Sequence, residues 1–253
     1  MTRMKGIFAT NLRRAFASKL FAASVVVTVA MCYISSREFL TGSNNSVYII
    51  DVMIHLGLFK KIIVFCAAIP FATVYCQDSN SGYIKSLIVR SSERAYVWTN
   101  VAVCALSGFA AVFTGILVFF GIVSAWLPPA AYEAGGVYDS LAVNHPMVYV
   151  LMIVGVFAAY AAMWTVVGLA LSSLLPDRYV ALGSPIIFGY LLEELTQGLP
   201  PYLNLYSLSH SYDVFRNALG NCLYTVGVFV LMAAAAGCLF SVFVKRRSRN
   251  EMA

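Results

Sequence analysis

The sequence contains few charged side chains, and this scarcity excludes an ordinary soluble domain. Only 11% of its 253 residues are Asp, Glu, Lys or Arg, against about a quarter in typical soluble domains. Hydrophobic residues make up 60% of the chain, and they fall in long runs that do not alternate with polar residues. A membrane-spanning helix needs roughly 20 apolar residues. We therefore predict one all-α integral membrane domain over residues 1–253.

The sequence also lacks the motifs of common enzymes and nucleotide-binding proteins. It has no phosphate-binding loop, since Gly82 and Lys85 are not adjacent as that motif requires. HExxH, GxSxG and CxxC are absent, and the three histidines lie far apart. Most of the six cysteines lie in apolar runs, where Cys packs as a small hydrophobic residue. A bridge between Cys32 and Cys222 stays open, but we predict no catalytic residue, cofactor or metal in this chain.

The apolar runs predict six membrane-spanning helices. Five of them lie at residues 21–35, 97–126, 147–175, 180–192 and 222–244. The second span is less regular, because Lys60 and Lys61 separate an apolar stretch at 48–59 from another at 62–76. Either one long helix begins outside the bilayer, or a short surface helix precedes the span. Pro70 is expected to kink this span, which membrane helices tolerate.

Residues 1–19 predict an interfacial helix on the membrane surface. Basic residues occupy several of its faces, while apolar side chains repeat at every fourth position. These apolar residues are Met4, Phe8, Leu12, Phe16 and Leu20. This pattern is typical of a basic amphipathic helix. A basic cytosolic tail is the alternative.

The distribution of Lys and Arg predicts the orientation in the membrane. With both termini in the cytosol, only four of the 17 Lys and Arg residues lie on the outer side of the membrane: Arg37, Lys60, Lys61 and Arg216. We interpret Lys60 and Lys61 as side chains that reach the outer headgroups, in preference to facing an internal cavity. The chain is thus predicted to be a multi-pass protein of the cell (plasma) membrane.

Residues 193–220 are too polar to span the membrane and too apolar for a plain loop. We predict that they dip back into the outer leaflet as helical fragments before the last span. Irregular backbone at that depth needs protein or a water-filled cavity around it. An ordinary outer loop with surface helices is the alternative. Glu193 and Glu194 either line a cationic path or mark where the fifth span leaves the membrane.

The polar loop at residues 77–95 carries the most informative pattern. Asp78 precedes Gly82 by four positions, an apolar stretch follows, and Arg94 lies twelve positions after Gly82. This order resembles the cytosolic segment after the second span in the permeases of ABC exporters, a family that handles drugs, peptides, polysaccharides and lipids. The chain departs from the family pattern at three places: Asp78 replaces Glu, Ser91 and Ser92 replace Pro, and Asn100 replaces Lys.

The resemblance covers the whole chain. The family has an amphipathic N-terminal helix, six spans, cytosolic termini and a re-entrant helical pair before the last span. It implies a transport subunit rather than an enzyme, paired with a second copy or a homologue of itself. Two copies of a separate ABC ATPase would bind ATP and Mg. Membrane lipids are expected neighbours, and no nucleic acid is expected as a partner.

The resemblance also implies roles for individual residues. ATPase coupling would fall to residues of the loop: Asp78, Gly82, Tyr83, Ile84, Leu87, Ile88 and Arg94. A short helix there would present an apolar face to a groove on the ATPase, or would rest on lipid headgroups instead. An outer gate would fall to the short fifth span: Pro185, Gly189, Glu193 and Glu194.

Two other functions stay open. A membrane-embedded sensor or immunity protein would bind a peptide or a lipid without transporting it. A secondary transporter needs ionisable residues in mid-membrane for ion coupling. The uncharged cores of the third, fourth and sixth spans argue against that class. The sequence does not identify the substrate, for which peptide and lipid are preferred over a hydrophobic drug.

Overall fold

The computed structural model describes residues 2–40, 45–82, 92–200, 202–209 and 214–252, and its regular elements in these ranges are all helices. The helices are α1 (Thr2–Phe16), α2 (Lys19–Leu40), α3 (Ser46–His55), α4 (Gly57–Ala68), α5 (Val74–Asn80), α6 (Glu93–Ser124), α7 (Asp139–Asn144), α8 (Pro146–Ser172), α9 (Arg178–Thr196), α10 (Leu205–Ser209) and α11 (Ala218–Met252). A short 3₁₀-helix, Gly136–Tyr138, precedes α7. The predicted all-α class is confirmed.

Four helices of the described chain are long and apolar enough to cross a membrane. They are α2, α6, α8 and α11, which correspond to the first, third, fourth and sixth predicted spans. Such helices are typical of a membrane protein. The second predicted span is divided among α3, α4 and α5. The fifth, 180–192, lies within α9, a 19-residue helix that also carries Arg178, Glu193 and Glu194.

The second predicted span is broken at two places. Leu56 has extended backbone between α3 and α4, and turns at residues 69–73 separate α4 from α5. Pro70 lies in these turns and has no backbone N–H to continue a helix. The region therefore contains three helices instead of one long one, and a short helix, α3, precedes the rest. The result is a 12-residue helix, α4, with a break at each end.

Helix α8 lies at the centre of the bundle. It packs against α4, α6, α9 and α11, and it is apolar around its whole circumference, as a buried helix must be. In contrast, α2 and α11 leave large apolar side chains exposed, including Val26, Ile34, Leu223 and Leu231. These two helices therefore present the faces that suit contact with lipid.

Helices α8 and α9 approach each other closely at Gly168. A Cβ atom at Gly168 would lie 2.6 Å from the backbone oxygen of Ala181 and 2.8 Å from Cγ of Pro185. Contacts this short are not tolerated, so only glycine allows the observed spacing. Close approach at small residues is a common way for membrane helices to associate.

The close contact at Gly168 predicts that alanine substitutions at two glycines of α8 have different effects on stability. Gly168→Ala should destabilise the protein by about 1–3 kcal/mol, because the helices must separate to admit the methyl group. Gly155 lies on the same helix, and a Cβ atom there would meet no other atom within 4 Å, so Gly155→Ala is the matched control and should not destabilise. Thermal unfolding followed by circular dichroism measures both. Equal melting temperatures for the two variants would contradict the close approach.

Candidate functional site

Asp78 lies in a buried ionic cluster where α1, α5 and α6 meet. Its side chain is 4% exposed, and its Oδ1 accepts a hydrogen bond from the Arg14 guanidinium at 3.0 Å. The Tyr96 hydroxyl donates to Oδ2 at 3.2 Å. Arg14 is 37% exposed, so its charge remains partly solvated. One carboxylate thus joins the N-terminal helix, the helix before the loop and the helix after it. We call Asp78, Arg14 and Tyr96 the loop cluster.

A second polar contact fixes α1 on α6. The Asn11 side-chain amide donates to Oδ1 of Asn100 at 2.8 Å, and both residues are buried. Ala15 is fully buried, whereas Phe16 is 37% exposed. The face of α1 that packs on the protein is centred on Asn11 and Ala15. Exposure of Phe16 is compatible with an apolar stripe that faces lipid, so the interfacial role of that stripe stays a prediction.

The structure describes only some of the other residues that are predicted to couple this chain to an ATPase. Gly82 follows α5 with φ of +69°, in the left-handed region that favours glycine. Arg94 is exposed at the start of α6, where Ser92 caps the helix by accepting a hydrogen bond from the Ala95 N–H. The predicted apolar face lies outside the described residues: Tyr83, Ile84, Leu87 and Ile88.

Helix α5 also contacts the beginning of α9. The Cys76 thiol donates to the backbone oxygen of Asp177 at 3.3 Å. Asp177 is the N-cap of α9, and its Oδ1 accepts from the Tyr179 N–H at 2.8 Å. The helix that carries Asp78 is therefore connected directly to the first turn of α9.

A second ionic cluster lies inside the bundle, between α4, α8 and α9. Lys60 is 1% exposed, and its Nζ lies 2.8 Å from Oε1 of Glu193. The Tyr160 hydroxyl donates to the same Oε1 at 2.8 Å. Lys60 Nζ also lies 5.5 Å from the centroid of the Tyr160 ring. We call Lys60, Glu193 and Tyr160 the interior cluster.

The interior cluster is at the level of the middle of α8. Tyr160 is about 20 Å from either end of this helix at a rise of 1.5 Å per residue. Aromatic rings surround it, with centroids of Phe229, Phe157 and Trp164 5.5–6.2 Å from the Tyr160 ring. In so apolar a setting, removing one partner of an ion pair typically costs about 3–5 kcal/mol.

The expected position of Lys60 at the outer headgroups is wrong. Lys60 shares one face of α4 with Ile63, Val64 and Ala67, all of which are buried. Successive residues of a helix lie about 100° apart, so Lys61 falls on another face, where its Nζ lies 4.4 Å from the Tyr190 ring centroid. The burial of Lys60 could be predicted from its helical spacing with the apolar residues of α4.

Three of the four predicted gate residues line the same face of α9. Pro185 packs at Gly168, and Gly189 faces the Trp164 indole. Glu193 follows with the same spacing of four residues. Glu194 is exposed and accepts a hydrogen bond from Gln197 at 3.0 Å. The structure thus brings three of them together against α8 and leaves Glu194 apart.

A third cluster, around Asp51, joins α3 to α8. Asp51 accepts hydrogen bonds from the hydroxyls of Tyr149 at 2.6 Å and Tyr132 at 3.0 Å. His55 Nδ1 lies 3.8 Å from Asp51 Oδ1. Burial, and then the nearby Asp51 carboxylate, raise the pKa of the Tyr132 phenol above its ordinary value. Tyr132 therefore stays a protonated donor at neutral pH. The two tyrosines are remote in sequence, and no local pattern predicts this contact.

No group of three His, Cys, Asp or Glu side chains in the described ranges is placed to hold a metal ion. All six cysteines lie in those ranges and are free, so the bridge between Cys32 and Cys222 is not formed. No protein-family model matches this sequence, and no match is found among curated proteins or among solved structures. A function for the chain must therefore be inferred from the loop cluster and the interior cluster.

Proposed function

We propose that the chain is the membrane-spanning permease subunit of an ATP-driven ABC exporter. It would work with a second copy or a homologue and with two copies of a separate ATPase, and both termini would face the cytosol. The observation that supports this most is the loop cluster. The acidic residue that begins the family-like loop is buried and paired with Arg14 of the N-terminal helix.

The loop cluster gives this proposal a physical route for coupling. A push on the loop at residues 77–95 reaches α5, which ends just before Gly82. From Asp78 it passes to α1 through Arg14 and to α6 through Tyr96. ATP would be hydrolysed on the partner, and this chain would contribute movement of its helices. A conformational change of this kind needs two states that the ATPase favours differently.

The proposal includes six spans, with α3 to α5 as the second and α9 as the fifth. The segment after α9 supports a re-entrant path. The Leu205 N–H donates to Oγ1 of Thr196 at 3.3 Å, and Leu205 and Leu208 are buried in the same apolar cluster as Tyr160. The chain therefore folds back against the bundle after α9. Pro185, Gly189 and Glu193 would form part of the gate between this segment and α8.

The interior cluster favours a second candidate, an ion-coupled secondary transporter. Ionisable residues in mid-membrane are typical of that class, and Lys60 and Glu193 are such residues if α8 crosses the bilayer. The two candidates differ in their energy source. A permease depends on an ATPase partner, whereas a secondary transporter responds to an ion gradient without one.

The experiment that tests the proposal is gentle purification of the chain from its native membrane. We expect a soluble ATPase to co-purify in stoichiometric amount, with vanadate-sensitive activity that this chain stimulates. Gly82→Trp and Leu87→Asp should each lower the coupled activity by about tenfold, equivalent to about 1.4 kcal/mol of coupling, with membrane insertion unchanged. Recovery of the chain alone, under conditions that preserve other complexes, would contradict the permease and favour a sensor, an immunity protein or a secondary transporter.

A further inference from the structure

The surroundings of the Lys60 ammonium have the composition of a binding site for an organic cation. A carboxylate oxygen of Glu193 lies at 2.8 Å and an aromatic face of Tyr160 at 5.5 Å. Trp164 and Phe229 pack on Tyr160 with edge-on geometry. Carboxylates and aromatic faces together recognise ammonium groups, and cation–π attraction strengthens when water is excluded.

The carboxylate and the Tyr160 ring lie on different helices from the Lys60 ammonium. Glu193 and Tyr160 lie on α9 and α8, which are held together at Gly168. Lys60 lies on α4, which has an extended residue before it and turns after it. The carboxylate and the Tyr160 ring thus lie on two closely packed helices, and the ammonium comes from a third, shorter helix that packs on both.

We propose that Glu193 and Tyr160, flanked by Trp164 and Phe229, form an ammonium-binding site that Lys60 occupies in the state seen here. The ligand is an amphiphile that carries an amine or quaternary ammonium group, and its cation replaces that of Lys60. An isolated carboxylate is strongly disfavoured in an apolar interior, so displacement of Lys60 requires another cation or protonation of Glu193. Val64, Leu205 and Leu208, which are buried in the same apolar cluster as Tyr160, would pack against the rest of such a ligand once Lys60 is displaced.

The binding site does not depend on the proposed function. Only the further step, that the bound amphiphile is the transported substrate, rests on it. Lys61 provides an internal comparison, since it is adjacent in sequence but contacts Tyr190 instead of Glu193. A lysine that competes with the ligand has an unusual signature. Its removal tightens binding of a cation, whereas removal of a lysine that only stabilises the fold does not.

The test is equilibrium binding of dodecylammonium to the full chain in nanodiscs of neutral lipid, with empty nanodiscs subtracted. Lys60→Gln keeps a donor for Glu193 and removes the competing charge, so it should tighten binding by about tenfold relative to wild type. Glu193→Gln should weaken binding by at least about tenfold in both backgrounds. Lys61→Gln is the matched control and should leave affinity unchanged. Dodecanol, which has no charge, should show none of these differences.

Unchanged affinity in Lys60→Gln, or equal changes for dodecylammonium and dodecanol, would overturn the inference. If Lys60→Gln does not fold, the comparison of wild type with Lys60→Gln/Glu193→Gln, which leaves no unpaired buried charge, decides, and equal affinities would overturn it. The ATPase co-purification is independent of this measurement. If an ATPase co-purifies but the chain does not bind dodecylammonium, the permease proposal stands and the ammonium site is rejected. If the chain binds dodecylammonium but no ATPase co-purifies, the ammonium site stands and the permease proposal is rejected.

Discussion

Lys60→Glu is expected to remove most of the folded protein, and Lys60→Glu/Glu193→Lys is expected to restore it. The single change places two carboxylates together in a buried site where Lys60 Nζ now lies 2.8 Å from Glu193. Loss of one partner alone typically costs about 3–5 kcal/mol, a large part of the roughly 5–15 kcal/mol that stabilises a typical protein. The reversed pair again carries opposite charges. Yield of monodisperse protein and melting temperature in detergent measure the effect.

Lys61→Glu is the control for this prediction. The Lys61 side chain is partly exposed and contacts only the Tyr190 ring among the described interactions, so we expect a change within about 1 kcal/mol. A Lys60→Glu variant that melts at the wild-type temperature would show that the buried pair does not stabilise the fold. Failure of the reversed pair to recover stability would assign the effect to the lysine site itself and not to the pairing.

Asp78→Asn is expected to lower coupled ATPase activity by about tenfold, the loss of about 1.4 kcal/mol of coupling. The substitution keeps the shape of the side chain and an acceptor for the Tyr96 hydroxyl, but it removes the charge that Arg14 pairs with. Arg14→Gln should give a similar loss. The double variant should be no worse than either single one, because two residues that act as one contact are not additive.

The readout separates coupling from stability. Arg14 is 37% exposed but Asp78 is only 4% exposed, so loss of the pair should cost more than the roughly 0–1 kcal/mol of a surface ion pair and less than the roughly 3–5 kcal/mol of a fully buried one. Coupling is therefore measured per amount of folded protein, alongside the melting temperature. Arg13→Gln is the matched control, since Arg13 is exposed and adjacent in α1. Wild-type coupling in Asp78→Asn, combined with loss of coupling in Gly82→Trp, would show that the loop acts without the N-terminal helix.

Helix positions were predictable because continuous apolar runs determine them. The third and fourth predicted spans, at 97–126 and 147–175, end within a few residues of α6 and α8. An irregularity at Pro70 was predictable as well, because proline cannot donate the backbone hydrogen bond that continues a helix; the structure has a break there instead of the expected kink. These features depend on local sequence, and one sequence is sufficient to find them.

The interior cluster was not predicted, because it depends on which face of each helix is buried. Lys60 was interpreted together with Lys61, although helical geometry places them on different faces. On α9, the small residues preceding Glu193 at intervals of four pointed to a buried face. The partner on α4 is more than 130 positions away in sequence, and no local rule connects the two. The loop's apolar face lies outside the described residues, so its predicted role stays a prediction.

The close packing of α9 on α8 has a mechanical consequence. Asp177, at the first turn of α9, is bonded to α5, the helix that carries Asp78. At 1.5 Å per residue, the same helix extends about 24 Å from Asp177 to Glu193. Because the Ala181 carbonyl abuts Gly168, α9 cannot slide freely along its neighbour. A single continuous helix therefore joins the Cys76 contact of α5 at one end to the carboxylate that contacts Lys60 at the other.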